Sequence, residues 1–207
     1  MSQASPVDAV KEDSMEKQKQ MIAANFHELA QAPKQGRKVV STFVPGNINE
    51  LLMCFDMARN LLEINALQNG MRKKTGRMIM EAELSGHSED VCTYVKADLG
   101  MMAQGNIGPT GETLPKPDLL LLSYTGCFTF MKWFVLVREQ YDCETSMLHV
   151  PYQGDGKIDE NMRDYVVKQL REEVIPTLES VSGVKFDIDR LREYMRESAR
   201  AEEDLVW

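Results

Sequence analysis

Apolar residues fall along the chain in two kinds of run: short blocks apolar on both sides, and longer stretches where they recur every three or four positions. The first kind predicts buried strands and the second helices with one apolar stripe. Val10, Ile22, Phe26 and Leu29 form such a stripe between Val7 and Ala32, ended by Pro33 and Gly36. Lys38 to Val44 reads as a strand stopped by Pro45 and Gly46. Asn47, with Glu50 three residues on, then caps a helix to Arg59. Leu61 to Ile64 reads as a second short strand and Met71 to Leu84 as a helix broken at Gly86 and His87. Ser88 caps the next helix, with Glu89 and Asp90 in its acidic first turn. Gln104 to Pro117 is a surface loop by its glycines and prolines. Asp118 to Tyr124 is the plainest strand, apolar on both faces like a central parallel strand. Thr125-Gly126-Cys127 turns into a helix running to Tyr141, and Thr145 to Val150 is a further strand ended by Pro151. Two helices follow, Asn161 to Ser182, kinked or split at Pro176, and Asp187 to Glu203.

Strands alternating with helices of this length predict an α/β fold with a parallel, doubly wound sheet flanked by helices. Three segments result: an N-terminal helical segment (1–36), an α/β domain (37–157) and a helical segment (158–207). In such sheets, sites form at the carboxyl ends of the strands, where Cys127 falls.

The net charge of -8 argues against a nucleic-acid surface, which needs clustered Lys and Arg. From Ile158 onward there are 13 acids against 8 bases, so most of that charge is local and reads as a solvated helical face. The start of the chain has no apolar signal-like core, and no run approaches the roughly 18 apolar residues of a membrane span, so a cytoplasmic protein is expected. In a reducing compartment the four cysteines are thiols or metal ligands before they are disulfides. The 14 methionines supply adaptable core filler.

Cys92 and Cys127 each fall in a helix N-terminal turn, where unpaired N–H groups and the positive dipole end favour thiolate over thiol. Thiolates bind soft metals and iron–sulfur clusters. A helix of about 14 residues, hence about 20 Å, separates Cys127 from Cys143 and puts them at opposite edges of the sheet. Cys54, inside Leu51-Leu-Met-Cys-Phe55, reads as a small buried hydrophobe. Position alone leaves two readings of Cys92 and Cys127 open, metal ligands or structural thiols. Gly105, Gly108 and Gly111 match neither a dinucleotide fingerprint nor a phosphate loop, and no ATP site is expected. His27, His87 and His149 have no zinc spacing. Only His149, near a strand end, is a proton-donor candidate. Asp56, Asp98 and Glu139 read as helical residues without a function. Lys132 and Trp133 could flank an apolar pocket, with packing the plainer role.

From about Lys38 onward the chain resembles the core subunits of 2-hydroxyacyl-CoA dehydratases and class I benzoyl-CoA reductases. Val91-Cys-Thr-Tyr-Val-Lys-Ala-Asp-Leu-Gly100, Pro117-Asp-Leu-Leu-Leu-Leu-Ser-Tyr-Thr-Gly-Cys127 and His149-Val-Pro-Tyr152 carry the likeness. Gln169-Leu-Arg-Glu-Glu173 and Gly183-Val-Lys-Phe-Asp-Ile-Asp-Arg-Leu-Arg-Glu193 add to it. The stretch Ser123 to Phe134 is more similar to the reductase branch. The resemblance implies a subunit of two flavodoxin-like α/β lobes, of which this chain is the first. It implies a 4Fe–4S cluster held by three cysteines beside an acyl-CoA thioester. Cys92 and Cys127 match two of them, and the third is expected past Trp207. It implies ATP-driven reduction of benzoyl-CoA to a cyclic diene. The expected partners are a related core subunit, ATPase activator subunits and ferredoxin as electron donor. The aromatic stretch Tyr124 to Phe134 would wall a dry pocket. The rivals are a 2-hydroxyacyl-CoA dehydratase subunit, which eliminates water by radical chemistry, and a metal-free α/β scaffold.

Overall fold

A computed structural model describes residues 6–44, 48–152, 154 and 156–205. Four strands, β1 (Val39–Thr42), β2 (Ala58–Leu61), β3 (Leu119–Tyr124) and β4 (Glu144–His149), form one sheet in the order β2-β1-β3-β4. All three pairings are parallel. Side chains alternate across β3. Leu120 and Leu122 face one apolar cluster with Phe43, Val95 and Trp133, while Leu119 and Leu121 face another with Val40, Leu52 and Leu178. Helices therefore cover both faces, as the doubly wound expectation required. α3 (Leu62–Met71), α4 (Thr75–Leu84), α5 (Thr93–Ala103) and α6 (Phe128–Gln140) lie on the first face. α2 (Asn49–Met53) and the C-terminal helices lie on the second. α1 (Pro6–Gln31) packs Phe26 and Leu29 against Val39, Ala58 and Met101.

Several boundaries differ from the sequence expectation. The second strand is Ala58–Leu61, not Leu61–Ile64, because Asn60 is tolerated in the sheet: its amide donates to Ser41 Oγ at 3.2 Å and its carbonyl accepts from Asn65 at 2.9 Å. The helix expected over Met71 to Leu84 starts afresh at Thr75, after Lys73 adopts a left-handed φ of 57°. The helix expected to reach Arg59 ends at Met53, and Asp56, with φ 54°, turns the chain into β2. Its expected cap, Asn47, lies outside the described residues. Pro176 has a wide-turn helix over Leu170–Val174 immediately before it, between α7 (Glu160–Gln169) and α8 (Ile175–Ser182). A proline lacks the N–H and crowds the preceding turn, which such widening relieves. The last helix, α9 (Ile188–Leu205), starts where Asp187 Oδ1 accepts from the Asp189 N–H at 2.8 Å.

The amino end of the sheet is closed by Asp118. Its carboxylate accepts from the Val39 N–H and from Lys38 Nζ, each at 2.8 Å, and its own N–H donates to Val39 O. The winding direction reverses between β1 and β3, and in such sheets the carboxyl ends at that point are where sites form. Among the described residues no helix is long and apolar enough to cross a membrane.

Candidate functional site

Two helices converge on that carboxyl end. α6 follows β3 and starts there. α5 precedes β3, so it ends near the amino side and starts at the carboxyl side. The two therefore run parallel, and their far ends share a groove lined by Met102, Asn106, Gln140 and Tyr141. Cys92 is the N-cap of α5 and Cys127 the N-cap of α6. The expectation that Ser88 caps α5 is corrected. Ser88 instead forms a tight turn, its Oγ accepting from Asp90 N at 3.3 Å and its carbonyl from Val91 N at 3.1 Å. That turn delivers Cys92 in extended conformation (φ -47°, ψ 134°), as a cap requires.

Halfway along the pair, Trp133 Nε1 donates to Asp98 Oδ2 at 2.9 Å. Asp98 lies six residues beyond Cys92 and Trp133 six beyond Cys127. With a rise of about 1.5 Å per residue, each cap lies about 9 Å along its own helix from the residue that makes that bond. Val91, Tyr124 and Phe130 pack on one cluster with Phe43 and Trp133, so an apolar floor lies beneath both caps. Phe43 meets Trp133 edge-on at 5.4 Å, and Phe130 stacks on Trp133 at 6.1 Å. Both cysteines are exposed free thiols, and Phe128, next to Cys127, is 83% exposed.

Two contacts fix the height of α5. Lys96, almost wholly buried, donates to the Glu89 carbonyl and to Glu83 Oε1, each at 2.7 Å, tying down the turn that leads to Cys92. Gly100 packs so tightly that an added Cβ would lie 1.9 Å from the Met78 carbonyl oxygen. Only a residue without a side chain lets α5 approach α4 that closely.

The remaining candidates lie elsewhere. Cys54 is fully buried, with Sγ near Glu50 O at 3.3 Å, and Cys143 is half-buried just before β4. Burial pushes both thiols up. Gly105, Gly108 and Gly111 form a compact loop closed by a bridge between Ile107 and Thr113. His27 pairs with Glu112 at 2.8 Å, anchoring α1 to that loop. His149 ends β4 at the same side as Cys127. Its ring stacks on Tyr124 at 5.8 Å, its Nδ1 meets the Tyr165 hydroxyl at 3.1 Å, and Gln169 bonds its backbone N–H and carbonyl at 2.9 Å each. Trp133 is core, and Lys132 is exposed.

Asp98 is the residue sequence reasoning passed over. It is 0% exposed, with Oδ1 lacking any hydrogen-bond partner. Burial pushes its carboxyl up to about 7, against the pull of the Trp133 N–H and of Asn65. In the structure it lies in a run where every residue from Val95 to Met101 is buried, a setting the sequence does not display.

The family model for 2-hydroxyglutaryl-CoA dehydratase, D-component, matches residues 42–206. The chain belongs to this family. Among its relatives, one of the subunits of benzoyl-CoA reductase from Thauera aromatica is 68% identical over all 207 residues, covering 48% of that protein. The (R)-2-hydroxyisocaproyl-CoA dehydratase alpha subunit of Clostridioides difficile is 29% identical over 184 residues, or 86% of this chain and 43% of the relative. The alpha subunit of lactoyl-CoA dehydratase from Anaerotignum propionicum is 24% identical over 151 residues, 67% of this chain and 36% of the relative. The chain spans about half the length of the curated relatives it matches. As a dehydratase-family chain it is similar to subunits of multi-subunit enzymes that act on CoA thioesters, which agrees with the resemblance read from the cysteine motifs.

As donors, the two thiols are of the type that suits a soft metal or an iron–sulfur cluster. Among the described residues, no group of three or more His, Cys, Asp or Glu gathers to hold a metal ion. The two thiols alone are therefore at most part of a donor set.

Proposed function

We propose that this chain forms the cysteine-bearing lobe of a benzoyl-CoA reductase core subunit, in which Cys92 and Cys127 hold a 4Fe–4S cluster with a third cysteine from outside the chain. The observation that carries the reading is the pair of exposed thiols capping two parallel helices at the carboxyl side of the sheet, where its winding reverses. The 68% identity to a reductase subunit supports the substrate class, an aromatic acyl-CoA thioester. When bound, the cluster supplies one-electron reduction at low potential, fed by ferredoxin through ATPase activator subunits docked on a pair of related core subunits.

The chain's own residues do three things in this reading. Cys92 and Cys127 place their sulfurs at the N-terminal ends of α5 and α6, where the positive end of each helix dipole favours a bound anionic group. Phe43, Phe130 and Trp133 form an apolar floor that excludes water from the sheet side of the sulfurs, a setting that tunes a cluster's potential. Lys96 holds the turn carrying Cys92 at its height.

Anaerobic iron and sulfide analysis of the intact subunit tests the reading. About four irons per subunit are expected, and fewer than one after reconstitution sinks it. The dehydratase name of the matching family favours a second reading, radical dehydration of a 2-hydroxyacyl-CoA. Assay of the assembled complex on benzoyl-CoA and on 2-hydroxyacyl-CoAs separates the two, since turnover of the hydroxyacyl thioester alone excludes the reductase.

A further inference from the structure

A carboxylate with no countercharge is rare in a core, because desolvation of the charged form is costly. Asp98 is such a group. Among the described residues it joins no ion pair, and the short hydrogen bond to its carboxylate comes from Trp133, with Oδ1 left over. The groups around it cannot neutralise it. Asn65, on α3, bears on the carboxyl only as a neutral amide that also donates to Asn60 at 2.9 Å, and Lys96, two residues back on α5, is bound to Glu83 and Glu89. Tyr141, after α6, is pushed up to about 12 by burial and by the Asp98 charge, so it stays neutral. What Asp98 does have is position: it joins the two helices that carry the thiol caps, at a bond about 9 Å along each helix from its cap.

We propose that Asp98 takes up a proton when an electron enters at the Cys92–Cys127 end, and releases it when the electron leaves. The proposal rests on the reading that these thiols hold a redox centre. A low-potential one-electron donor adds one negative charge above the helix pair. One proton from solvent forms an O–H bond on the Asp98 carboxylate, so the net charge of the region is unchanged. When the electron passes to the acyl thioester, that proton returns to solvent. A unit charge about 10 Å away, through an effective dielectric of about 20, shifts a carboxyl's protonation equilibrium roughly tenfold. The sign follows from charge: added negative charge favours the neutral acid, so the reduced state holds the proton to higher pH. Burial already pushes this carboxyl up to about 7, so the shift falls in the physiological range.

The test is a redox titration of the intact, iron-loaded subunit, followed by its electron paramagnetic resonance between about pH 6 and about pH 9. The midpoint potential is expected to fall with rising pH over roughly one unit near neutrality and to be flat on either side. In Asp98→Asn that sloping window disappears. In Trp133→Phe, which removes the donor favouring the ionised form, the window moves to higher pH. Wild-type protein supplies an independent readout: its reduced-minus-oxidised infrared spectrum near neutral pH should gain a protonated-carboxyl C=O band. An iron-loaded Asp98→Asn subunit with the wild-type slope, or no carboxyl band in the wild type, overturns the proposal and leaves the cluster reading intact. A subunit that holds no iron overturns both.

Discussion

The four cysteines divide between the two ends of the sheet, and the ends are built differently. At the amino end, Cys54 and Cys143 sit among apolar side chains that push their thiols up, and Asp118 locks β1 and β3 with three short hydrogen bonds. At the carboxyl end, Cys92 and Cys127 are exposed on helix caps, and Phe128 and Tyr152, just past the ends of β3 and β4, are each 83% exposed. The amino end thus locks its strands together through Asp118, while the carboxyl end leaves two thiols and two large aromatic rings exposed. Sulfur chemistry follows from that difference in surroundings, since all four residues are the same type.

The largest effect that can break this contrast comes from removing the thiols. Cys92→Ala and Cys127→Ala are expected to strip iron from the intact subunit and abolish activity, whereas Cys54→Ala and Cys143→Ala keep iron and lose only stability. Iron analysis of the four variants decides it, and iron loss from Cys143→Ala with retention in Cys127→Ala reverses the assignment of the two ends.

The titration of Asp98 sharpens the comparison from beneath the carboxyl end. Its folded pKa of about 7 lies above the ordinary carboxylate value, so its contribution to stability is complete below about pH 4 and is lost as the pH rises through 7. The loss is on the order of 4 kcal/mol. Urea unfolding at about pH 5 and about pH 8 should show the decline in the wild type and not in Asp98→Asn. Gly100→Ala comes next. With its new Cβ against the Met78 carbonyl, it is expected to lower stability by about 3 kcal/mol in urea and to displace the Cys92 cap. Smallest is Lys38→Ala at the amino end, a half-exposed partner of Asp118, which should cost less than about 1 kcal/mol because water and salt screen it.

The sheet centre and the cap at Cys127 were legible in the sequence because Leu119 to Leu122 are apolar on both faces and Gly126 marks the turn that follows. β2 was misplaced since Arg59 and Asn60 look unlike a strand, and their place depends on Ser41 and Asn65. Ser88 has the side chain of a cap, yet its turn hands that role to Cys92. Asp98 was invisible for a deeper reason. A lone aspartate in a helix resembles a solvated one, and its burial is decided by Trp133, 35 residues away, and by the close α4–α5 packing at Gly100. The proposed iron-binding role was read from resemblance, not from spacing.

The clamp at Asp118 also bears on how the chain finds its fold. β1 meets β2 only 19 residues later, at Val39 and Ala58, but meets β3 across 79 residues, at Val39 and Asp118. Closing the longer loop orders far more chain before it returns any contact energy. The β1–β3 seam therefore carries the larger loop-closure cost in assembling the sheet, and the reversal of winding beside Cys127 exists only once that seam is closed.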